Sequence, residues 1–340
     1  MSVQRLANHD AIDGAVSGGQ QESPTLAGHR GAVQRPLFIL AAPRSFTSVV
    51  CAMLGQHPQM YGLPELHLFG AETIGEWWEI CERTRPAMPH GALRAVAELF
   101  YGKQTEHTIT LAGGWLRRRS HYTTGFLLES LAERVHPRFV VEKSPGTVLR
   151  PEFLRRAYRM FPDARFIHLV RHPRGQGESV LKFIDNASRT GRVPKWLLHL
   201  AKGAPRSKLR HSRGLDPQRG WYQRNLNICE FLELVPADQK MRMRGEDILT
   251  DPGRHLQEIA GWLDVRTDAQ AIEEMKHPER SPYACFGPKN ARAGNDPCFS
   301  RDPVLRSVQL KRQSIEGPLN WRSGDFLPKV KRLAREFGYQ

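Results

Sequence analysis

The 340-residue sequence predicts an α/β fold, a central parallel sheet flanked by helices. Three observations carry that reading. Short apolar runs recur that lack the in–out alternation of a half-exposed strand, as strands covered on both faces require. Each run is followed by a helical stretch. No internal repeat suggests a solenoid or propeller.

Residues 1–34 are rich in Gly, Gln, Ser, Ala and His without apolar periodicity, and are predicted to form a disordered arm. Residues 35–340 are read as one domain. Its first strand is Pro36-Leu-Phe-Ile-Leu-Ala-Ala42, followed by the turn Pro43-Arg44-Ser45 and a helix from Phe46 to Gly55. Residues 66–136 read as mostly helical, broken near Pro86 to Gly91 and at Gly113-Gly114. Arg138–Lys143 is a second strand, with a helix from about Val148 to Phe161. Arg165–Val170 is a third, with a helix from about Pro173 to Ile184, and Lys240–Arg244 is a short late strand leading to a helix through Trp262. Two connections are long enough to be functional or disordered. One is a basic insert at about 185–215, with Arg189, Arg192, Lys195, Lys202, Arg206, Lys208, Arg210 and Arg213 against Asp185 alone. The other, 277–303, is rich in Pro, Gly and Asn.

Fifty Lys and Arg against thirty-five Asp and Glu give a net charge of +15, which fits an anionic partner or a generally basic surface. The five cysteines have no C-x-x-C spacing, and an odd number argues against a disulfide framework, so a reducing, cytoplasmic setting is expected. The start lacks the apolar core of a signal peptide, and no run is long enough to span a membrane.

A parallel strand that ends in a tight loop and opens a helix builds an anion site from backbone N–H groups and the positive helix end. Here the loop is Pro43-Arg44-Ser45-Phe46-Thr47-Ser48, with one guanidinium and three hydroxyls. It lacks the G-x-x-x-x-G-K-[ST] of a nucleotide-binding P-loop and the G-x-G-x-x-G of a dinucleotide fold. Taken alone, it reads equally as an ordinary helix start, where Ser and Thr are favoured. A second segment, Arg171-His-Pro-Arg-Gly-Gln-Gly-Glu-Ser179, directly follows the third strand. Ligands of open α/β sheets bind at the carboxyl ends of strands. An arginine and a serine placed there are able to bracket one phosphate; an arginine at a strand end is also commonly just paired with an acidic neighbour.

Together the two segments resemble the PAPS-dependent sulfotransferases, where PAPS is 3′-phosphoadenosine 5′-phosphosulfate. Pro43 to Ser48 is similar to their 5′-phosphosulfate loop, P-[RK]-S/T-G-T-[ST], and Arg171 to Ser179 to their 3′-phosphate motif, R-x-P-[RK]-x-x-x-x-S. The resemblance spans roughly Arg35 to Tyr339. Gly294-Asn-Asp-Pro297, Ser314-Ile-Glu-Gly-Pro318 and the Trp221–Leu232 stretch make it most similar to the bacterial branch that includes sulfotransferase domains of polyketide assembly lines. It implies the sulfotransferase fold, with a P-loop-like sheet, PAPS as co-substrate, a hydroxyl-bearing acceptor and no metal. The charge of the insert at 185–215 would suit an anionic or carrier-bound acceptor, with a plain solvated insert as the alternative, and neither nucleic acid nor a membrane span is expected as a partner. Phe46 stands where the family usually has glycine, and is strained if the loop needs a positive φ there.

Sulfuryl transfer needs an in-line arrangement, cations for the leaving phosphate and a base for the acceptor alcohol. The resemblance makes Glu65, in Gly62-Leu-Pro-Glu-Leu-His-Leu-Phe69, the expected base, with His67 as its rival; a helix-starting carboxylate is the plain alternative. Lys143, in Glu142-Lys-Ser-Pro145, would join Arg44 at the sulfuryl group, unless it is a surface partner of a glutamate. Ser45, Phe46, Thr47, Ser48, Arg171 and Ser179 would bind the donor's phosphates. Arg292 and Asn295, in the late loop, would close on the 3′-phosphate or adenine. The rival readings are a P-loop-type nucleotide kinase, whose lysine and magnesium-binding aspartate are missing, and a basic nucleic-acid-binding protein, whose motifs do not occur.

Overall fold

The strand Leu37–Leu40 (β1) is an apolar run bounded by two prolines, all four residues buried. It is the middle of five parallel strands, in a computed structural model that describes residues 35–84, 86–189, 215–305 and 313–340. The arm 1–34 and all but the ends of the basic insert lie outside those residues.

In chain order the elements are β1, α1 (Thr47–Leu54), β2 (Met60–Gly62), α2 (Ile74–Thr84), α3 (His90–Tyr101), α4 (Glu106–Arg117), α5 (Thr124–Val135), β3 (Phe139–Glu142), α6 (Pro151–Met160), β4 (Arg165–Val170), α7 (Pro173–Arg189), α8 (Pro217–Leu232) and β5 (Lys240–Arg244). They continue as α9 (Gly245–Thr250), α10 (Pro252–Trp262), α11 (Ala269–Glu274), α12 (Pro297–Arg301) and α13 (Pro328–Glu336). The sheet order is β2-β3-β1-β4-β5. Leu37 of β1 pairs in register with Val141 of β3 on one side and Arg165 of β4 on the other. The chain therefore goes out from β1 to β2 and β3, then passes over to β4 and β5. The order reverses at the carboxyl end of β1, where such sheets leave a crevice.

Side chains of β1 alternate between two cores, as strand geometry dictates. Phe38 and Leu40 join the larger core under α2–α6, where Phe38 stacks on Phe166 at 5.6 Å and meets Phe69 edge-on at 5.5 Å. Leu37 and Ile39 face the core formed with α1, α9 and α10.

Four expectations need correction. Gly113-Gly114 does not break a helix: α4 runs through both, because two interior glycines cost only about 1 kcal/mol each while Ile109, Ala112, Trp115 and Leu116 keep a buried stripe. The break falls instead at 102–105, where Thr105 caps α4 by accepting from the Thr108 N–H. The stretch after β3 divides at Pro151 into a 3₁₀ turn, Thr147–Leu149, and α6. The helix after β4 runs to Arg189 rather than stopping at Ile184. The three-residue edge strand β2 was not predicted at all; it is too short to show a period.

Candidate active site

The loop after β1 turns by placing two non-glycine residues in the left-handed region, Arg44 at φ +70° and Phe46 at φ +64°. Each such residue costs about 1–2 kcal/mol. With His67, at φ +54°, three of the four non-glycine residues at positive φ among those described gather at one place, as strain does at functional sites. Phe46 is the residue before α1, and no side chain caps that helix start. The Ser45 hydroxyl beside it is buried with no hydrogen-bond partner among the described residues. Uncapped N–H groups, a positive helix end and an unused hydroxyl fit an incoming anion.

A cavity of about 680 Å³ opens from this loop. Its polar side carries Arg44, Ser48, Glu65, His67 and Asp296; Met88, Pro145, Leu149 and Phe183 give it an apolar wall. Lys143, from the end of β3, is only 1% exposed and reaches the polar side. Its Nζ donates to Ser48 Oγ at 3.0 Å and to Glu65 Oε1 at 2.9 Å. The lysine is thus a buried link between Ser48 of the loop after β1 and the base candidate, not a surface partner. His67 Nε2 lies 3.3 Å from the other Glu65 oxygen, and its Nδ1 is buried without a partner among the described residues. Burial by itself would push the Glu65 carboxyl up, but Lys143 and His67 outweigh it and hold the group well below the usual carboxylate range.

The segment carrying Glu65 and His67 is fastened from three sides. The Glu65 N–H donates to the Gly294 carbonyl at 2.7 Å. Gly294, at φ +114°, lies so close to Gly91 that an added Cβ would sit 2.9 Å from its Cα. The His67 N–H donates to Ser144 Oγ at 2.8 Å, and the Ser144 hydroxyl donates to the buried Glu142 carboxylate. Burial, only partly offset by the Ser144 bond and by Lys143, pushes Glu142 up to about 7. The Trp77 indole donates to the His67 carbonyl at 3.1 Å.

Arg44 is held differently. Its Nη1 is 2.5 Å from Asp296 Oδ2, and its Nε donates to Ser179 Oγ at 3.2 Å. The Asp296 N–H donates to Ser48 Oγ at 3.3 Å. Arg171 lies behind the loop rather than in the cavity lining, with its Nη1 donating to the Arg44 carbonyl at 2.6 Å. Burial lowers its pKa to about 10.

The expected residues thus separate into groups. Arg44, Phe46, Thr47, Ser48 and Glu65 line the cavity, with Lys143 bonded into it. Ser179 and Arg171 meet through Arg44. Asn295 lines the cavity, donates to the Tyr283 carbonyl at 2.9 Å, and keeps a buried Oδ1 without a partner among the described residues. Arg292 is not brought there. It is exposed, with its guanidinium 4.9 Å over the Phe286 ring, because the 3₁₀ turn Lys289–Ala291 turns it outward. Two contributors went unrecognised. Asp296 sat inside the quoted Gly294–Pro297 motif, but nothing local links it to Arg44, 252 positions away. Glu142 sat inside a strand, where its alternation with Val141 was the only signal.

The family profile described as "Sulfotransferase family" matches residues 36–269, well over half of the chain. The chain belongs to the sulfotransferase family. Its fold is that of two solved structures. The sulfotransferase domain from the curacin biosynthetic pathway superposes with TM-score 0.67 at 21% identity, over 89% of this chain and 97% of that one. The sulfotransferase domain from the Synechococcus PCC 7002 olefin synthase gives 0.65 at 23%, over 90% and 95%. A search of curated proteins finds no match. Among the described residues, no helix is long and apolar enough to cross a membrane, and no cluster of three or more His, Cys, Asp or Glu is arranged to hold a metal ion.

Proposed function

We propose that the protein transfers a sulfuryl group from PAPS to a hydroxyl on an acceptor with an apolar body. The observation that carries this is the buried Lys143, bonded at once to Ser48 of the anion loop and to Glu65 on the cavity wall. In this reading Ser45, Phe46, Thr47 and Ser48 offer backbone N–H groups and hydroxyls to the 5′-phosphosulfate, and Arg44 and Lys143 stabilise the charge developing on the leaving phosphate. Arg171 and Ser179 take the 3′-phosphate, and Asn295 lies at the donor's edge. The acceptor oxygen bonds to sulfur as the bond from sulfur to the 5′-phosphate oxygen breaks, and Glu65 receives the acceptor's proton. Glu65 is a weak base while Lys143 is beside it. A donor that draws Lys143 toward its sulfuryl oxygens raises the basicity of Glu65 at the moment it is needed.

The apolar wall of Met88, Pro145, Leu149 and Phe183 supports an acceptor whose hydroxyl sits on a hydrocarbon frame. A carrier-bound acceptor is the finer reading. It is supported by the pathway and synthase origins of the two superposed domains and by the +15 charge, which would attract an acidic carrier. A reducing, cytoplasmic setting belongs to the same reading, as does an acceptor-docking role for the basic insert.

Calorimetry with PAP, the desulfated donor, tests the donor site: binding should need no magnesium and should exceed ATP binding. A preference for ATP, or a strict magnesium requirement, overturns it. Turnover with PAPS against pooled alcohols, phenols, glycans and acyl-carrier substrates then identifies the acceptor.

A further inference from the structure

Phe46 departs from the glycine usual at its position, and takes up a backbone conformation, φ +64° and ψ 11°, that glycine adopts freely and phenylalanine does not. That turn places its ring on Arg171: the guanidinium carbon is 4.0 Å from the ring centroid. Gly245 meets the ring at its Cδ2 edge, where an added Cβ would lie 2.6 Å from Cδ2 and 3.5 Å from Cγ and Cε2. Bare backbone thus fixes the ring at its edge while a cation lies close to the ring centroid.

Arg171 has an unusual set of partners. Its Nη1 donates to the Arg44 carbonyl, and its Nε is buried with no hydrogen bond among the described residues. Glu246, the carboxylate that acts most strongly on it, already accepts from the His172 N–H and the Tyr339 hydroxyl, both at 2.9 Å. No ion pair of Arg171 occurs among the described residues. A carboxylate would fix the guanidinium but cancel its charge. An aromatic face fixes it and leaves the charge unspent, because the attraction comes from the ring quadrupole.

We propose that Phe46 is a positioning residue for donor recognition: its ring, held at its edge by Gly245, presents an un-neutralised Arg171 to the donor's 3′-phosphate. This rests on the reading of Arg171 as the 3′-phosphate residue. Phe46 then sets how strongly the protein prefers a 3′,5′-bisphosphate over a 5′-monophosphate, while the backbone N–H at position 46 serves the 5′ side as glycine would.

The test compares dissociation constants for PAP and adenosine 5′-monophosphate, with melting temperature as a check on folding. In Phe46→Gly the PAP preference should fall on the order of tenfold, while the packing lost with the ring lowers the melting temperature and relief of the left-handed strain offsets part of that loss. Phe46→Tyr should keep the preference. Gly245→Ala, whose methyl pushes against the ring, should lower the preference in the wild-type background and change nothing further in the Phe46→Gly background. A Phe46→Gly protein that is folded and still prefers PAP as strongly as wild type overturns the proposal, as does a Gly245→Ala effect of equal size in both backgrounds. The second comparison decides the matter if Phe46→Gly proves too unstable in isolation, since Phe46→Leu, which keeps bulk but loses the aromatic face, can replace it in the cycle. Wild-type protein that binds the two nucleotides equally would instead remove the 3′-phosphate reading itself.

Discussion

Arg44 and Arg171 stand at the carboxyl ends of neighbouring strands, yet the protein treats their charges in opposite ways. Arg44 is paired with the Asp296 carboxylate, as Lys143 is with Glu65. Arg171 has an aromatic face, a carbonyl and no ion pair among the described residues. The difference teaches how the two halves of a nucleotide would be received. If Arg44 and Lys143 receive the 5′ side as proposed, an incoming anion would have to exchange with carboxylates already in place, so much of its attraction would offset bonds that are lost. At the proposed 3′ side it would add to a cation held ready. The exchange side is suited to a group that has to react and leave, and the additive side to one that only anchors.

The exchange at Lys143 offers the sharpest way to break this comparison. Glu65→Gln should lower turnover by a factor on the order of 10² to 10⁴, the range for loss of a general base, with PAP affinity little changed. It should also lower stability, because Lys143 is left buried without its carboxylate. Should turnover survive in Glu65→Gln and vanish in His67→Ala, the base is His67. On the additive side, Arg171→Ala should cost PAP about 1.5–3 kcal/mol, the worth of a bond to a charged group, and cost adenosine 5′-phosphosulfate much less. Equal losses for both nucleotides would mean that Arg171 only shapes the loop.

The buried Glu142 gives a third test, on the carboxyl that nothing exchanges. Its pKa is raised by burial from an ordinary value near 4.5 to about 7, so the folded protein holds this proton more tightly than the unfolded chain does. Its contribution is fully present below about pH 4.5 and is lost as pH rises through about 7. Denaturant titrations should show that loss, on the order of 3 kcal/mol, and Glu142→Gln should flatten it. An unchanged pH slope in the variant would place the titration elsewhere.

The two regions also differ in how far they were legible beforehand. The anion loop and Arg171–Ser179 were readable because strand, loop and helix are contiguous, so a local spacing fixes a local geometry. β1, β4 and β5 were legible for the same reason, as apolar or alternating runs with turn residues at their ends. Asp296 and Glu142 were not. A carboxylate that reaches Arg44 from a loop 252 positions away leaves no spacing to read, and a glutamate closing a buried strand looks like any polar strand end. Arg292 shows the converse. The family resemblance of its loop implied a place at the donor, and Arg292 instead lies at the surface beside the 3₁₀ turn Lys289–Ala291. The positive φ at Phe46 was foreseeable only as a condition, because the sequence names the residue and the fold decides the angle.

Asp296 supplies the smallest expected effect, and the one that bears most directly on exchange. Its carboxylate and N–H occupy Arg44 and Ser48, two groups the donor's 5′ end would use. Both side chains of the ion pair are partly exposed, 16% and 24%, so the pair is worth far less than a buried one. Asp296→Asn keeps the N–H to Ser48 and removes only the charge. If donor binding displaces this carboxylate, the variant should bind PAP several-fold more tightly, about 1 kcal/mol. The gain should shrink at high salt, where the pair is already screened. Arg171 has no such competitor, so Asp296→Asn should tighten adenosine 5′-monophosphate and PAP by the same factor and leave the preference between them unchanged. Weaker binding in Asp296→Asn would show that the carboxylate organises the loop for the donor, and that Arg44 too is held ready rather than exchanged.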